Sequence, residues 1–213
     1  MLSAGDDAGA WNIVLGGVSN YRPICDLWWM ARAKLKEGKK LYGAFPGGFL
    51  ERARALLGCR LDEPVLHVCG GAVRYYPYKR GFGPHDKTLD LDPEFKPDFL
   101  HDAREPFPLA RGYKRHDFLP LGSFPPAALW PGIIIDGPYS ELDAAKYRVG
   151  AEVYPKPGLL VKNAFEVLPS GGRIGILHYT VPSPPKNAVF VASICVLVGY
   201  NNRSRIYSVF ERS

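Results

Sequence analysis

The sequence lacks the cysteine patterns of disulfide-stabilised domains and of zinc sites. Its four cysteines are scattered along the chain, and none belongs to a CxxC pair or stands near a histidine ligand pattern: Cys25, Cys59, Cys69 and Cys195. Disulfide frameworks and structural zinc sites use closely and regularly spaced ligands. We therefore expect buried free thiols and no bound metal.

Long apolar runs are missing as well. The longest strongly apolar run, residues 190–198, is much shorter than the roughly 20 residues that a membrane-spanning helix needs. The start of the chain carries Asp6 and Asp7, where a secretory signal carries basic residues. These absences predict a soluble, cytoplasmic protein without a membrane partner.

Charge of one sign is in only modest excess. The chain has 27 Lys and Arg against 21 Asp and Glu, a formal net charge of +6 and a pI of about 9.1. Such an excess favours an anionic partner such as nucleic acid but does not identify it. At 213 residues and 46% hydrophobic content, the sequence predicts one domain with a sizeable core.

Two helices are predicted in the first part of the chain. Trp28, Trp29, Met30 and Leu35 alternate with basic residues at helical spacing, which predicts an amphipathic helix over 27–40. Apolar residues also recur every three or four positions over 48–57, which predicts a second helix. We interpret residues 1–40 as an extension that precedes the core.

From residue 64 onwards, short apolar runs alternate with loops and helical stretches. Strands are predicted at 65–69, 88–91, 98–100, 132–135 and 173–179, and 164–168 is predicted to end a helix. This alternation is typical of a parallel sheet covered by helices. The runs 190–200 and 205–210, separated by the turn-forming residues 201–204, predict an antiparallel hairpin at the end of the sheet.

Polar residues follow the predicted strands at their carboxyl ends. Gly70 and Gly71 follow the first, Asp90 ends the second, Asp102 follows the third and Asp136 follows the fourth. Open parallel sheets bind ligands in the crevice beyond the carboxyl ends of their strands. The sequence therefore predicts a ligand site at this edge.

Five alternating strand and helix units followed by a hairpin resemble the Rossmann-like fold of the S-adenosylmethionine-dependent methyltransferases over nearly all of residues 41–212. Within this fold, Asp136-Gly137-Pro138-Tyr139 resembles the DPPY signature of the amino-methyltransferases of nucleic acids, such as the adenine-specific DNA enzymes. The resemblance implies an α/β three-layer sandwich with a mostly parallel seven-stranded sheet. It implies a single methyltransferase domain over 1–213, with the core at 41–213 and no separate target-recognition domain.

The chemistry of amino methylation explains the residues of this motif. An exocyclic amino group is a poor nucleophile because its lone pair is delocalised into the ring, so acceptors must orient it. By resemblance, the Asp136 carboxylate and the Gly137 carbonyl accept the two amino hydrogens, while Tyr139 stacks on a base that a duplex must flip out. Glycine at 137, where the family mostly has proline, keeps the carbonyl but loses rigidity. The implied catalytic residues are Asp136, Gly137, Pro138 and Tyr139.

The resemblance also implies S-adenosylmethionine as the cofactor and a set of residues that bind it. Gly70 and Gly71 match the glycine-rich loop, Asp90 the acid that holds the ribose hydroxyls, with Asp92 as its competitor, and Asp102 the residue at the adenine amino group. His67 stands where an acid is common and Cys69 where Gly or Phe is common. The implied cofactor-binding residues are Phe45, Pro46, His67, Gly70, Gly71, Asp90, Asp102 and Ala103.

Basic and aromatic residues interleave in two loops at the same edge, 74–87 and 111–116. Such interleaving suits phosphate contacts combined with base stacking. Beside a DPPY-like motif, it predicts a nucleic-acid partner, with DNA favoured over RNA, and a homodimer is compatible with the small size. The predicted contacts are Arg74, Tyr76, Lys79, Arg80, Lys114 and Arg115. His178 and Tyr179 also lie near the pocket in this interpretation, with a structural role favoured for His178.

Other functions stay open at this point. The same fold could methylate RNA or a small metabolite. The altered glycine-rich motif also fits a catalytically degenerate methyltransferase fold that serves as a nucleic-acid-binding or assembly subunit. A nicotinamide-dependent oxidoreductase is disfavoured because the sequence has no GxGxxG.

Overall fold

The computed structural model describes residues 22–31, 45–76, 80–108, 130–147, 154–199 and 201–213, with the side chains of 201–203 excepted. The strands are β1 (Ile24–Met30), β2 (Val65–Val68), β3 (Lys87–Asp90), β4 (Phe99–Leu100), β5 (Gly132–Ile135), β6 (Arg173–His178), β7 (Ala188–Val198) and β8 (Asn201–Arg212). The α-helices are α1 (Phe49–Leu57), α2 (Glu141–Ala144) and α3 (Pro157–Glu166), and Val73–Tyr75 and Pro93–Phe95 form short 3₁₀ helices. Within these ranges, no helix is long and apolar enough to cross a membrane.

All the strands belong to one mixed sheet. Their order is β1-β7-β8-β6-β5-β2-β3-β4, and β8 pairs antiparallel with both of its neighbours while the other pairs are parallel. The predicted mostly parallel sheet and its antiparallel hairpin are therefore confirmed. The predicted number of seven strands is wrong, since the sheet has eight strands in the described part of the chain.

The additional strand is β1, and it corrects the helix predicted over 27–40. Trp28 and Met30 are buried in the core, whereas Leu27 and Trp29 are 52% and 72% exposed. This alternation has a period of two, as in a strand, and β1 lies parallel to β7 with Ile24 opposite Ala192. The predicted extension thus contributes an edge strand to the sheet, while residues 32–40 lie outside the described residues.

The core occupies both faces of the sheet because the central strands are buried on both sides. Leu66, Ile133 and Ile135 pack in the cluster that contains α3, whereas Val65 and Ile134 pack in the cluster that contains α1. Fully buried parallel strands carry continuous apolar runs of this kind. The predicted helix at 48–57 is confirmed as α1, which begins after Gly48 and ends before Gly58, both in left-handed conformations with φ of 82° and 69°.

The chain order of the central strands creates a crevice. From β2 the chain adds β3 and β4 on one side, and it then returns to add β5 and β6 on the other side. The connections on either side of β2 thus leave in opposite directions. At such a switch point, the carboxyl ends of the strands border an open crevice.

Candidate functional site

A cavity lies beyond the carboxyl ends of β2, β3, β4 and β5. It has about 890 Å³ of empty space, which includes space open to solvent. Among the residues predicted to bind cofactor or substrate, it brings together Phe45, Gly70, Gly71, Asp90, Asp102, Ala103, Asp136 and Pro138. The other lining residues are Cys69, Ala72, Tyr76, Leu89, Leu91, Asp92, Phe95, His101, Ala144, Tyr147 and Pro155.

The turn after β2 needs small residues at two positions. A Cβ on Gly70 would lie 3.0 Å from the carbonyl oxygen of His67, so the turn closes tightly onto its own strand. Gly71 has a φ of 48°, in the left-handed region. Cys69 also has a left-handed backbone conformation, with a φ of 53°. Glycine adopts this conformation most easily, which explains why glycine is common at this position in the family that the sequence resembles.

Asp90 is held by the backbone of two loops. Its Oδ2 accepts a hydrogen bond of 2.8 Å from the amide of Gly71, and its Oδ1 accepts one of 3.0 Å from the amide of Asp92. Burial raises the pKa of Asp90 against the effect of these amides. Because each carboxylate oxygen can accept two hydrogen bonds, both retain capacity for a ligand hydroxyl. Asp92 caps the following 3₁₀ helix by accepting from Glu94, which favours Asp90 over Asp92 as the ligand-binding acid.

Asp102 and Ala103 form the wall beyond β4. The Asp102 carboxylate accepts hydrogen bonds from the amide and the guanidinium of Arg104, which lower its pKa. Ala103 is buried, and its carbonyl accepts a hydrogen bond of 3.2 Å from Nδ2 of Asn163 on α3. The loop is thereby attached to a helix of the core, which holds its shape in the absence of ligand.

Asp136 stands at the end of β5, with its amide bonded to the carbonyl of Val68 at 3.2 Å. Its Oδ1 accepts a 2.6 Å hydrogen bond from the hydroxyl of Tyr139. The side chain is partly exposed to the cavity but is otherwise surrounded by protein. This burial raises the pKa of Asp136 to about 6, while Arg205 and the Tyr139 hydroxyl oppose the rise.

Gly137 and Tyr139 do not line the cavity. A Cβ on Gly137 would make ordinary contacts with Leu160, Pro155 and Cys69 at 3.4 to 3.7 Å, and Gly137 does not adopt a positive φ. Tyr139 turns its hydroxyl onto Asp136, and its ring lies 4.7 Å from that of Tyr179, centroid to centroid. Stacking of this ring on a substrate base stays a prediction.

Two predicted cofactor residues lie away from the cavity. His67 is fully buried, with Nε2 3.0 Å from Oδ2 of Asp86 and its ring against Phe82, so we correct its assignment to a structural one. Pro46 is buried beside the start of α1, where its carbonyl accepts a hydrogen bond of 3.1 Å from Phe49. For His67, the contacts with Asp86 and Phe82 hold the side chain away from the cavity.

The predicted nucleic-acid contacts are only partly described. Arg74 forms an ion pair with Asp98 at the β3–β4 edge, and Tyr76 is buried in the cavity wall rather than presented to a polyanion. Arg80 is exposed. Lys79, Lys114 and Arg115 lie outside the described residues.

Sequence reasoning missed Arg205 as a residue of this site. Its Nη1 donates a hydrogen bond of 3.1 Å to the Tyr139 hydroxyl, and its guanidinium lies 5.3 Å from the centre of the Tyr139 ring. No local signal could identify it, because an arginine in a hairpin strand is ordinary. His178 is buried and accepts a hydrogen bond from the amide of Thr180, while its ring contacts that of Tyr139.

Comparison with known proteins identifies relatives by structure alone. No protein-family model matches the sequence, and no curated protein matches it in sequence. The solved structures that resemble it include TrmN from Thermus thermophilus, with 16% identity, a TM-score of 0.53 and coverage of 81% of this chain and 50% of TrmN. The chain thus spans about half of the length of TrmN.

Two further structures are less similar. One is the 1,6-didemethyltoxoflavin-N1-methyltransferase of Burkholderia thailandensis with bound 1,6-didemethyltoxoflavin and S-adenosylhomocysteine, at 14% identity and a TM-score of 0.47, covering 77% of this chain and 78% of that one. The other is the precorrin-6y C5,15-methyltransferase of Geobacter metallireducens, at 13% identity and a TM-score of 0.45, covering 84% and 95%. The strand order and the likeness to TrmN agree on the fold alone: the chain has a Rossmann-like α/β fold with a mostly parallel sheet.

Proposed function

We propose that this protein transfers a methyl group from S-adenosylmethionine to an exocyclic amino nitrogen of a nucleic-acid base, with adenine in DNA as the first substrate to test. The observation that carries the proposal is the shared cavity of Gly70, Gly71, Asp90, Asp102 and Asp136. These residues come from four different strand ends, and the fold alone does not require acids at three of them. Their convergence supports a site with a cofactor half and an acceptor half.

The residues present fit the cofactor. The tight turn at Gly70 lets the backbone approach the methionine part, and Asp90 has acceptor capacity for the ribose hydroxyls. Leu89, Phe95 and Ala103 provide apolar wall for an adenine ring beside Asp102. When bound, S-adenosylmethionine would supply an electrophilic methyl group on a sulfonium centre.

In the acceptor half, Asp136 is the residue that acts on the amino group to be methylated. Its carboxylate can accept a hydrogen bond from the amino group, which orients the nitrogen and limits delocalisation of its lone pair. It can also accept the proton that the nitrogen loses once it is methylated. No covalent bond to the enzyme is needed, so the chemistry requires neither a nucleophilic cysteine nor a metal.

The proposal is tested by mass spectrometry of nucleosides from DNA and RNA after expression in a methylation-deficient host. We expect a methylated amino base with the native protein and none with Asp136→Ala. Asp62→Ala is the matched control, since Asp62 is an exposed acid paired with Arg60 outside the cavity, and it should behave as the native protein does. Absence of any modified base together with no S-adenosylhomocysteine binding at near-millimolar concentration would rule out the enzyme and favour a degenerate binding subunit.

A second candidate is methylation of RNA or of a small molecule by the same site. The burial of Tyr76 and the ion pair of Arg74 with Asp98 favour a small-molecule acceptor, because they engage two of the side chains expected to contact nucleic acid. Assays with labelled cofactor on DNA, RNA, free nucleosides and small heterocyclic amines separate these acceptors. Transfer to free nucleosides at rates equal to those on DNA would favour the small-molecule candidate.

A further inference from the structure

Arg205 reaches the predicted acceptor site from β8, the strand that runs antiparallel to its neighbours in the sheet. Because β8 is antiparallel, its first residues lie beside the carboxyl ends of the parallel strands. There Arg205 Nη1 donates to the Tyr139 hydroxyl at 3.1 Å, and that hydroxyl donates to Asp136 Oδ1 at 2.6 Å. The three side chains form one continuous hydrogen-bonded chain from β8 to the end of β5.

The guanidinium of Arg205 sets the donor and acceptor roles in these hydrogen bonds. A guanidinium has donors only, so the Tyr139 oxygen must accept from Arg205 and its hydrogen must point to Asp136. The hydrogen bond from the Tyr139 hydroxyl to Oδ1 is stronger when Asp136 carries its negative charge than when it is protonated. The chain therefore favours the ionised carboxylate, with Oδ1 occupied and Oδ2 remaining for a ligand in the cavity.

The surroundings hold Tyr139 in this position. Its ring packs against those of His178, at a centroid distance of 5.8 Å, and Tyr179, at 4.7 Å, while the Tyr154 hydroxyl donates to its main-chain carbonyl at 3.4 Å. The Arg205 guanidinium contacts the same ring at 5.3 Å, which adds a cation–π attraction. Rotation of the phenol away from Asp136 would break the ring contacts and both hydrogen bonds of its hydroxyl at once.

The other ionisable groups around Asp136 do not replace Arg205. Those described on the neighbouring elements are Cys69, Asp90, Asp102, Tyr147, Tyr154, His178 and Tyr179. The carboxylates among them disfavour a negative charge on Asp136, and burial lowers the pKa of His178, which keeps that ring neutral. None of these described groups carries a permanent positive charge, whereas Arg205 does.

We propose that Arg205 is a positioning residue of the methyl-transfer site: acting through Tyr139, it keeps the Asp136 carboxylate ionised and its Oδ2 available to the acceptor amino group. This rests on the proposed function for its catalytic meaning. The coupling itself is a property of the three side chains and is measurable without turnover.

The test is a carbon-13 NMR titration of the Asp136 carboxyl carbon, assigned with Asp136→Asn. In Arg205→Met, the midpoint should rise by about one pH unit or more, because an opposite charge close to a carboxylate has been removed. Arg205→Lys should restore part of the difference, and Tyr139→Phe should raise the midpoint with the arginine still in place. The control is Arg52→Met. Arg52 is an exposed residue of α1 whose guanidinium lies over the ring of Trp28, and its removal should leave the midpoint unchanged.

Turnover then separates this inference from the proposed function. If transfer is observed, its acidic limb should move to higher pH in Arg205→Met while S-adenosylhomocysteine affinity stays within about twofold of the native value. An unchanged midpoint in both Arg205→Met and Tyr139→Phe, or an equal shift in Arg52→Met, overturns the positioning role even if transfer occurs. A shifted midpoint in a protein that transfers no methyl group supports the coupling and overturns the proposed function instead. Should Arg205→Met fail to fold, Arg205→Lys and Tyr139→Phe decide the question.

Discussion

The amide of Gly71 donates a hydrogen bond of 2.8 Å to Oδ2 of Asp90. This bond connects the turn after β2 to the end of β3, two segments that are adjacent in the sheet but are joined by a long connection in the chain. It holds the carboxylate in place before any ligand arrives. A preorganised acceptor of this kind strengthens binding because little ordering remains to be done on association.

Asp90→Ala should weaken cofactor binding. The loss of hydrogen bonds from a charged acceptor to ribose hydroxyls corresponds to about 1.5 to 3 kcal/mol, or a 10- to 100-fold higher Kd for S-adenosylhomocysteine by calorimetry. Asp92→Asn is the control, since the amide oxygen can still cap the 3₁₀ helix, and its affinity should stay close to the native value. An equal loss in both variants would show that Asp90 has no special role.

Asp136→Ala should lower turnover by more than about 100-fold while S-adenosylhomocysteine affinity stays nearly intact. Its carboxylate is at the acceptor side of the cavity, and its hydrogen bond goes to Tyr139 rather than to the turn residue Gly71 that holds Asp90. Single-turnover rates and calorimetry on the same preparation measure the two quantities. The reverse pattern in Asp136→Ala and Asp90→Ala would mean that the two roles have been exchanged.

Turnover should depend on pH through Asp136. Since its pKa is raised to about 6 and the ionised form is the acceptor, the rate at saturating substrate should fall below about pH 6 and level off above it. Stability should change in the opposite sense: the folded state binds this proton more tightly than the unfolded chain, so ionisation costs stability that is regained as pH falls through about 6. A rate profile that is flat between about pH 5 and 8 would contradict the assignment.

Asp86→Asn should destabilise the protein strongly. The Asp86 carboxylate accepts hydrogen bonds from the amides of Val65 and Gly83, forms an ion pair with Arg54 and contacts His67. Removing one partner of such a buried cluster costs about 3 to 5 kcal/mol, measurable by urea denaturation. Asp62→Asn, at an exposed ion pair, should change stability by less than about 1 kcal/mol.

The Asp86 cluster also predicts the sign of acid sensitivity. Burial alone would raise the pKa of Asp86, but hydrogen bonds and charges from His67 and Arg54 outweigh it and hold the pKa below its ordinary value. A depressed carboxyl pKa stabilises the fold at pH values above the ordinary one, and this stability is lost as pH falls through the folded value. Asp86→Asn should therefore flatten the acid side of the stability profile.

Tyr207→Phe should raise stability by about 1 kcal/mol. The Tyr207 hydroxyl is buried without a hydrogen-bond partner in the described part of the chain, and it occupies the space where a side chain on Gly175 would begin. Removing the hydroxyl relieves its desolvation and keeps the ring in the core. Thermal unfolding measures the change, and Gly175→Ala should act in the opposite direction because its methyl group overlaps the phenol. A drop in stability for Tyr207→Phe would show that the hydroxyl is satisfied.

Most strands were predictable because their patterns are local. The run Gly132–Ile135 is short, and every residue after Gly132 is isoleucine. Its continuous apolar character and its length together indicate a buried strand. β1 was not predictable in this way, since residues 27–30 are apolar at every position and therefore show no alternation that separates a strand from a helix. β1 forms by pairing with β7, which is distant in sequence.

By itself, the sequence determined the strands from β2 onwards, the acids at the strand ends and the hairpin, because periodicity, turn residues and apolar runs act between near neighbours in the chain. Tertiary structure alone decided that His67 faces Asp86, that Tyr76 lines the cavity and that Arg205 reaches Tyr139 and Asp136. These contacts join residues from separate strands and loops. Their energies depend on burial and distance after the sheet has formed, and no pattern along the chain encodes either quantity.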